Sequence, residues 1–331
     1  MPPVYKKVLV DFPALDRANQ FTAEKLKKIR SSLDSALQAS PHKEKITVVA
    51  VGSYGRGEAS ESSDIDAYIM FDSDRAAADV IANELKEIEK ILNSHVLKET
   101  GSTGTFGADV CIRFTDMLSN IGGKDDSNAQ ITRRLLFLLE GTWLYGEDRF
   151  GQYRLELLSR YIKPSGADGK IARFLLNDII RYYRTIATDF EHKVSDQKQE
   201  WGLRQVKLRF SRKILYFGGI VAIAETAELP QQQTLEKISD WFDHQGLERL
   251  YKASPDLPQT AQVLRLYEHF LGRVSKPDVR QTLEQLQKED RDTCEPYCDL
   301  REKGVELSEV LAEWLKEKYP ADHQIHHALI F

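Results

Sequence analysis

The stretch Gly52-Ser53-Tyr54-Gly55-Arg56-Gly57-Glu58, followed after a short polar segment by Ser63-Asp64-Ile65-Asp66, concentrates residue types that handle phosphate and divalent metal. Glycine lets a backbone approach a phosphate closely, and the Ser53 hydroxyl can donate to phosphate oxygens. Two carboxylates separated by one residue in an extended chain project to the same side, where they repel unless a cation lies between them. Hard divalent ions take oxygen ligands, and Mg2+ typically takes one or two carboxylates together with substrate phosphates. A glycine-rich turn before a strand with an acidic exposed face is the bland alternative, and it leaves the paired carboxylates unexplained.

These residues need strands and helices to hold them. Ile46-Thr47-Val48-Val49-Ala50-Val51 is a run of strand formers leading into Gly52. From Asp64 to Phe71, alternation sets Ile65, Ala67, Ile69 and Phe71 on one face and Asp64 and Asp66 on the other. A further strand is expected over 108–114, approached through the glycine-rich segment 101–107, with Asp109, Cys111 and Arg113 sharing a face. Thr22 reads as an N-cap, with Phe21 and Leu26 as a hydrophobic staple, for a helix ending near Ser40-Pro41. Helices are also expected over 75–93 and over 128–140, the latter stopped by Gly141, before a short extended piece at 143–146. Beyond about residue 155 the strand signals stop. Helical periodicity then covers 169–192, 200–226, 232–245, 259–272, 277–289 and 304–318, punctuated by Pro230, Pro255 and Pro258. The expected fold is α+β: a small mixed sheet flanked by helices over 1–155, followed by an all-α domain over 156–331.

Gly-Ser, Arg-Gly and Ser-Asp-x-Asp at these spacings resemble the DNA polymerase β-like nucleotidyltransferase superfamily. Within it, the string is most similar to PII uridylyltransferase-like and related bacterial nucleotidyltransferases. The resemblance covers about the first 150 residues well and the remainder loosely. It implies a third carboxylate on a neighbouring strand, for which Asp109 is the candidate and Asp116 the rival. It also implies Mg2+, as two ions, with Mn2+ as a substitute, held by Asp64, Asp66 and Asp109. The implied reaction transfers a nucleoside monophosphate from a nucleoside triphosphate, ATP among them, to an acceptor hydroxyl and releases pyrophosphate. Gly52 and Ser53 would bind the triphosphate, and Arg56 would meet charge on the leaving pyrophosphate. The acceptor is open between a protein side chain, a small alcohol and a second nucleotide. The competing class is a non-catalytic nucleotide-binding or antitoxin-like partner that keeps the fold, against which the full three-carboxylate set argues.

Outside the motif, Trp201 to Lys213 carries Arg204, Lys207, Arg209, Arg212 and Lys213 and no acid. Arg204, Lys207 and Ser211 fall on one face of a regular helix, where they could hold a triphosphate. Arg181, on the preceding helix, could meet base or phosphate or pair with Asp178. His323, His326 and His327 read as a frayed terminus rather than metal ligands. The net charge of -5 argues against a long nucleic acid as partner. A hydrophobic content of 41% and a charged content of 29% describe a soluble globular protein, and no apolar run is long enough for a membrane span. Cys111, Cys294 and Cys298 make no disulfide framework, which fits a reducing cytoplasm.

Overall fold

The β-branched run Ile46–Val51 forms the central strand β1 of a small sheet, in a computed structural model that describes residues 3–73, 75–96, 111–162, 169–195 and 201–330. The chain divides into two compact units, residues 18–164 and residues 1–17 with 165–331. Helices α1 (Pro3–Leu9) and α2 (Pro13–Leu37) precede β1, and the helical turn α3 (Gly52–Gly55) follows it. Strand β2 (Asp66–Phe71), helices α4 (Ala77–Val80) and α5 (Ala82–Ser94), strand β3 (Cys111–Ile112), helices α6 (Phe114–Leu118) and α7 (Asn128–Glu140), strand β4 (Thr142–Tyr145) and helix α8 (Glu147–Tyr161) come next.

Among the described residues the sheet is four-stranded and mixed, in the order β3-β2-β1-β4. β1 is antiparallel to β2 and to β4, while β2 and β3 run parallel. One face buries Ile46, Val48 and Ala50 of β1 and Ala67, Ile69 and Phe71 of β2 against Leu26, Ile29, Leu33 and Leu37 of α2 and Ile88 and Leu92 of α5. The expected alternation of β2 is therefore the one that builds this core. Met70 and Tyr68 are buried as well, so both faces of the sheet are covered.

α2 departs from expectation. Thr22 is not an N-cap but lies inside a helix that starts at Pro13, a residue suited to the first helical position. Its hydroxyl donates to the Ala18 carbonyl at 2.7 Å, one turn back, and accepts the Ala59 N–H at 3.0 Å. The strand expected over 108–114 is described only at Cys111–Ile112, and Phe114 already begins α6. Gly141 ends α7 with φ -59 and ψ 133 rather than in the left-handed region. A buried bidentate pair, Arg134 with Asp126 at 3.1 and 2.9 Å, ties α7 to the segment before it, and the Arg134 Nε donates to the Tyr161 hydroxyl at 2.7 Å.

The second unit is helical: α9 (Arg173–Ser195), α10 (Gly202–Lys207), a π-helical turn Leu208–Arg212, α11 (Lys213–Ala224), α12 (Gln231–Phe242), α13 (Gly246–Ala253), α14 (Pro258–Val274), α15 (Pro277–Gln285), α16 (Glu295–Lys318) and α17 (Gln324–Ala328). The N-terminal residues, expected with the sheet, pack here instead. The Ala14 and Leu15 N–H groups donate to the Glu268 carboxylate at 2.8 and 2.9 Å, and the Tyr5 ring lies 5.5 Å from Tyr251. A carboxylate at exposed helix N–H groups is favoured by both hydrogen bonding and the helix dipole. Among the described residues no helix is long and apolar enough to cross a membrane.

Candidate active site

β1 delivers the chain to the site. Val51 pairs with Asp66, so the residue that follows Val51 emerges beside the first carboxylate of β2. Gly52 adopts φ +68, in the left-handed region that favours glycine, and a Cβ placed on it would overlap Asp66 Oδ2. Two constraints thus require glycine here, one from backbone conformation and one from contact with the carboxylate. Ser53 is half-buried in the helical turn that follows. Tyr54, one residue on, is buried, and burial first and the Asp64 carboxylate second push its phenol up to about 12. Asp64 and Asp66 therefore both flank α3. Both are partly exposed, whereas Ile65 and Ala67 between and beyond them are buried.

The segment between α3 and β2 is held from several sides. The Glu58 N–H donates to the Ser53 carbonyl at 2.8 Å. The Ser63 N–H donates to the Ser60 carbonyl at 2.9 Å, and the Ser60 N–H donates back to the Ser63 hydroxyl at 3.0 Å. The Thr22 hydroxyl anchors Ala59 to α2. Arg56 was expected to be available to pyrophosphate. Its Nη1 donates to Glu140 Oε2 at 2.7 Å and its Nε to Glu58 Oε2 at 2.9 Å, with its side chain only 9% exposed. Glu140, at the end of α7, also accepts the Gly52 N–H at 2.8 Å. Gly55 presses so closely on the Glu140 carbonyl that no Cβ would fit. Sequence reasoning missed Glu140; the available signal was a carboxylate in the last turn of a helix, where the dipole disfavours it.

The donors present suit a hard divalent cation. Asp64 and Asp66 offer carboxylate oxygens, and the Gly52 backbone lies directly against Asp66 Oδ2. Asp109 and the glycine-rich segment 101–107 lie outside the described residues, and among the described residues no set of three metal-binding side chains is assembled. The rival Asp116 sits on α6, half-exposed, and accepts from Arg113 Nη2 at 2.9 Å. The C-terminal histidines serve the helix end: His323 Nδ1 accepts the Ile325 N–H at 3.1 Å, and His326 Nε2 lies 3.0 Å from the Tyr319 carbonyl.

In the helical unit, the face expected to unite Arg204, Lys207 and Ser211 does not form. The π-helical turn at Leu208–Arg212 breaks the α-helical register between them. Arg204 and Lys207 remain partly exposed, but Ser211 is buried and its hydroxyl accepts the Tyr267 hydroxyl at 3.2 Å. Arg181 lies 3.9 Å from the buried Asp178. The same turn brings forward a lysine that was present in the basic run but not singled out. Lys213 Nζ donates to the Gly304 carbonyl at 3.4 Å and to the Ser308 hydroxyl. Burial, and after it the neighbouring Arg209 cation, pull its pKa down to about 8.

Residues 23–100 match the family model described as a nucleotidyltransferase domain. That segment runs from within α2 through β1, α3 and β2 to α5, and it contains Gly52, Ser53, Asp64 and Asp66. No curated protein matches the chain. The mixed α+β architecture agrees with such a domain joined to a helical region, and nucleotidyl transfer is the general chemistry that the match supports.

Proposed function

We propose that this protein transfers a nucleoside monophosphate from a nucleoside triphosphate to an acceptor hydroxyl, with release of pyrophosphate. The observation that carries the reading is the convergence of the Gly52–Ser53 turn with Asp64 and Asp66 at one end of the β1–β2 pair. Asp64 and Asp66 would hold a divalent ion, Mg2+ or Mn2+, with Asp109 as the third carboxylate. Bound there, such an ion neutralises phosphate charge and lowers the pKa of an acceptor hydroxyl. Ser53 donates to a phosphate oxygen, and Gly52 allows the phosphate to come close to the backbone. The acceptor oxygen attacks the α-phosphorus, and the bond to the bridging oxygen breaks with its electrons leaving on pyrophosphate. Positioning and charge neutralisation carry most of such a reaction. Arg204, Lys207 and Arg181 of the helical unit supply cations for the triphosphate. Ser211, buried against Tyr267, is a packing residue and takes no part. The acceptor stays open between a protein side chain, a small alcohol and a second nucleotide.

Incubation with each α-labelled nucleoside triphosphate, Mg2+ and a cell lysate is expected to place label on an acceptor and to release pyrophosphate. Mg2+-dependent triphosphate binding with neither product would overturn the transferase reading and leave a nucleotide-binding protein with this fold.

A further inference from the structure

Glu140 occupies an expensive position for a carboxylate. It is 5% exposed and is the last residue of α7, so burial and the negative end of the helix dipole both oppose its charge. Its two oxygens are divided between partners on one short turn. Oε1 accepts the Gly52 N–H at 2.8 Å, and Oε2 accepts from Arg56 at 2.7 Å. The first residue of α3 and the residue just after it are therefore gripped by one side chain. Stability alone gives weak grounds for a charge here, since apolar replacements of a buried ion pair at similar volume are often neutral or stabilising. What an apolar replacement cannot supply is an acceptor for the Gly52 N–H. Gly52 in turn sits against Asp66 Oδ2, with no room for a side chain between them.

We infer that Glu140 is a positioning residue of the proposed transfer reaction: by accepting the Gly52 N–H it fixes the Gly52–Ser53 turn against the Asp66 carboxylate. The inference rests on the nucleotidyl-transfer reading. It concerns a residue beyond the matched segment 23–100 that touches no reacting group itself. Misplacement of a binding group by about 1 Å is enough to cost around a hundredfold in rate, so a single anchoring hydrogen bond has a large lever.

The test compares two double variants, Arg56→Met with Glu140→Gln and Arg56→Met with Glu140→Met. Both remove the ion pair and both keep a neutral side chain of similar volume. Only the Gln variant retains an oxygen for the Gly52 N–H. The probes are Mn2+ with inorganic tripolyphosphate, followed by calorimetry, and hydrogen exchange at the Gly52 amide. The expected result is similar melting of the two variants, a protected Gly52 amide in the Gln variant alone, and affinity at least tenfold tighter in the Gln variant than in the Met variant. Equal affinities in the two, whether as tight as wild type or equally weakened, overturn the inference. Should the Met variant fail to fold, the Gln variant is compared with wild type, and an unprotected Gly52 amide together with wild-type affinity overturns it. Absence of Mn2+-tripolyphosphate binding in the wild type is a separate outcome, which strikes the transfer reading itself.

Discussion

At the scale of single residues, Asp64 and Asp66 carry the proposed metal binding and contribute little to the core. They are partly exposed, while the apolar neighbours Ile65 and Ala67 hold the strand in the core. Asp64→Asn and Asp66→Asn are each expected to abolish pyrophosphate release with Mg2+. Because the change at Asp64 relieves like-charge repulsion, melting of the metal-free Asp64→Asn protein should be unchanged or slightly raised. Wild-type turnover in either variant would remove the metal assignment. Lys213 offers a prediction with a definite pH window. Its pKa lies at about 8 when folded, against an ordinary 10.5. Between these values the unfolded chain binds more protons than the folded one, so stability rises as pH rises through the window. Below about pH 8 the cost of burying the charge is fully present. Denaturation midpoints of wild type and Lys213→Met, compared from about pH 7 to about 9.5, should converge as pH rises, with the Met variant the more stable at the lower end. A constant gap would mean that Lys213 is not desolvated. The comparison is kept below the range where Tyr54 and Tyr153, both pushed up to about 12 chiefly by burial, begin to favour the unfolded state.

At the scale of elements, the proposed reaction depends on the β1–α3–β2 connection, whose steric tolerances are narrow. Gly52→Ala meets both a left-handed backbone and the Asp66 carboxylate. Gly55→Ala meets the Glu140 backbone carbonyl, which cannot rotate away. Each substitution should destabilise the protein by roughly 1–3 kcal/mol, the range for locally strained backbone, as read from urea midpoints. Gly52→Ala should in addition weaken metal-dependent triphosphate binding. Further along, Asp126→Asn leaves the fully buried Arg134 without its carboxylate partner. Breaking one side of a buried pair costs about 3–5 kcal/mol, so this variant is expected to fold poorly although it lies outside the site. The π-helical turn shows the same dependence on detail: five residues, Leu208–Arg212, turn Ser211 into the core and carry Lys213 to Gly304 and Ser308.

At the scale of the whole molecule, the basic residues Arg204 and Lys207 extend the proposed triphosphate contacts beyond segment 52–66. If Arg204 and Lys207 hold the triphosphate, Arg204→Ala and Lys207→Ala should raise KM about tenfold or more with a smaller effect on kcat, since a charge-assisted hydrogen bond contributes roughly 1.5–3 kcal/mol. Unchanged KM in both would return these cations to surface solvation. Ligand linkage gives an independent check. A triphosphate with Mg2+ at about 100 times its Kd should stabilise the wild type by about 2.7 kcal/mol, and Asp66→Asn should lose that increment.

Much of this was legible along the chain because it depends on near neighbours. Strand alternation placed Ala67 and Ile69 of β2 in the core, with Ile65 just before it, and left Asp64 and Asp66 partly exposed, since side chains in an extended chain alternate whatever they pack against. The change from strand to helical periodicity separated a mixed sheet from a helical region for the same reason. The failures arise where a residue answers to a particular contact or register change that ideal spacing does not encode. Thr22 reads as a cap from its neighbours, but its hydroxyl answers to Ala18 and Ala59. Residues 1–17 join the helical unit because Glu268, far along the chain, meets their helix N–H groups. Ser211 is turned inward by a local register change that ideal helical spacing cannot anticipate. Arg56 looked free for a phosphate until Glu58 and Glu140 were seen to hold it. The sequence by itself determined the strand alternation of β2 and the residue types of the Gly52–Asp66 motif. Tertiary structure alone decided that Gly52 and Arg56 are both anchored to Glu140, because that partner is brought in by chain closure over more than eighty residues, and no local periodicity records such a contact.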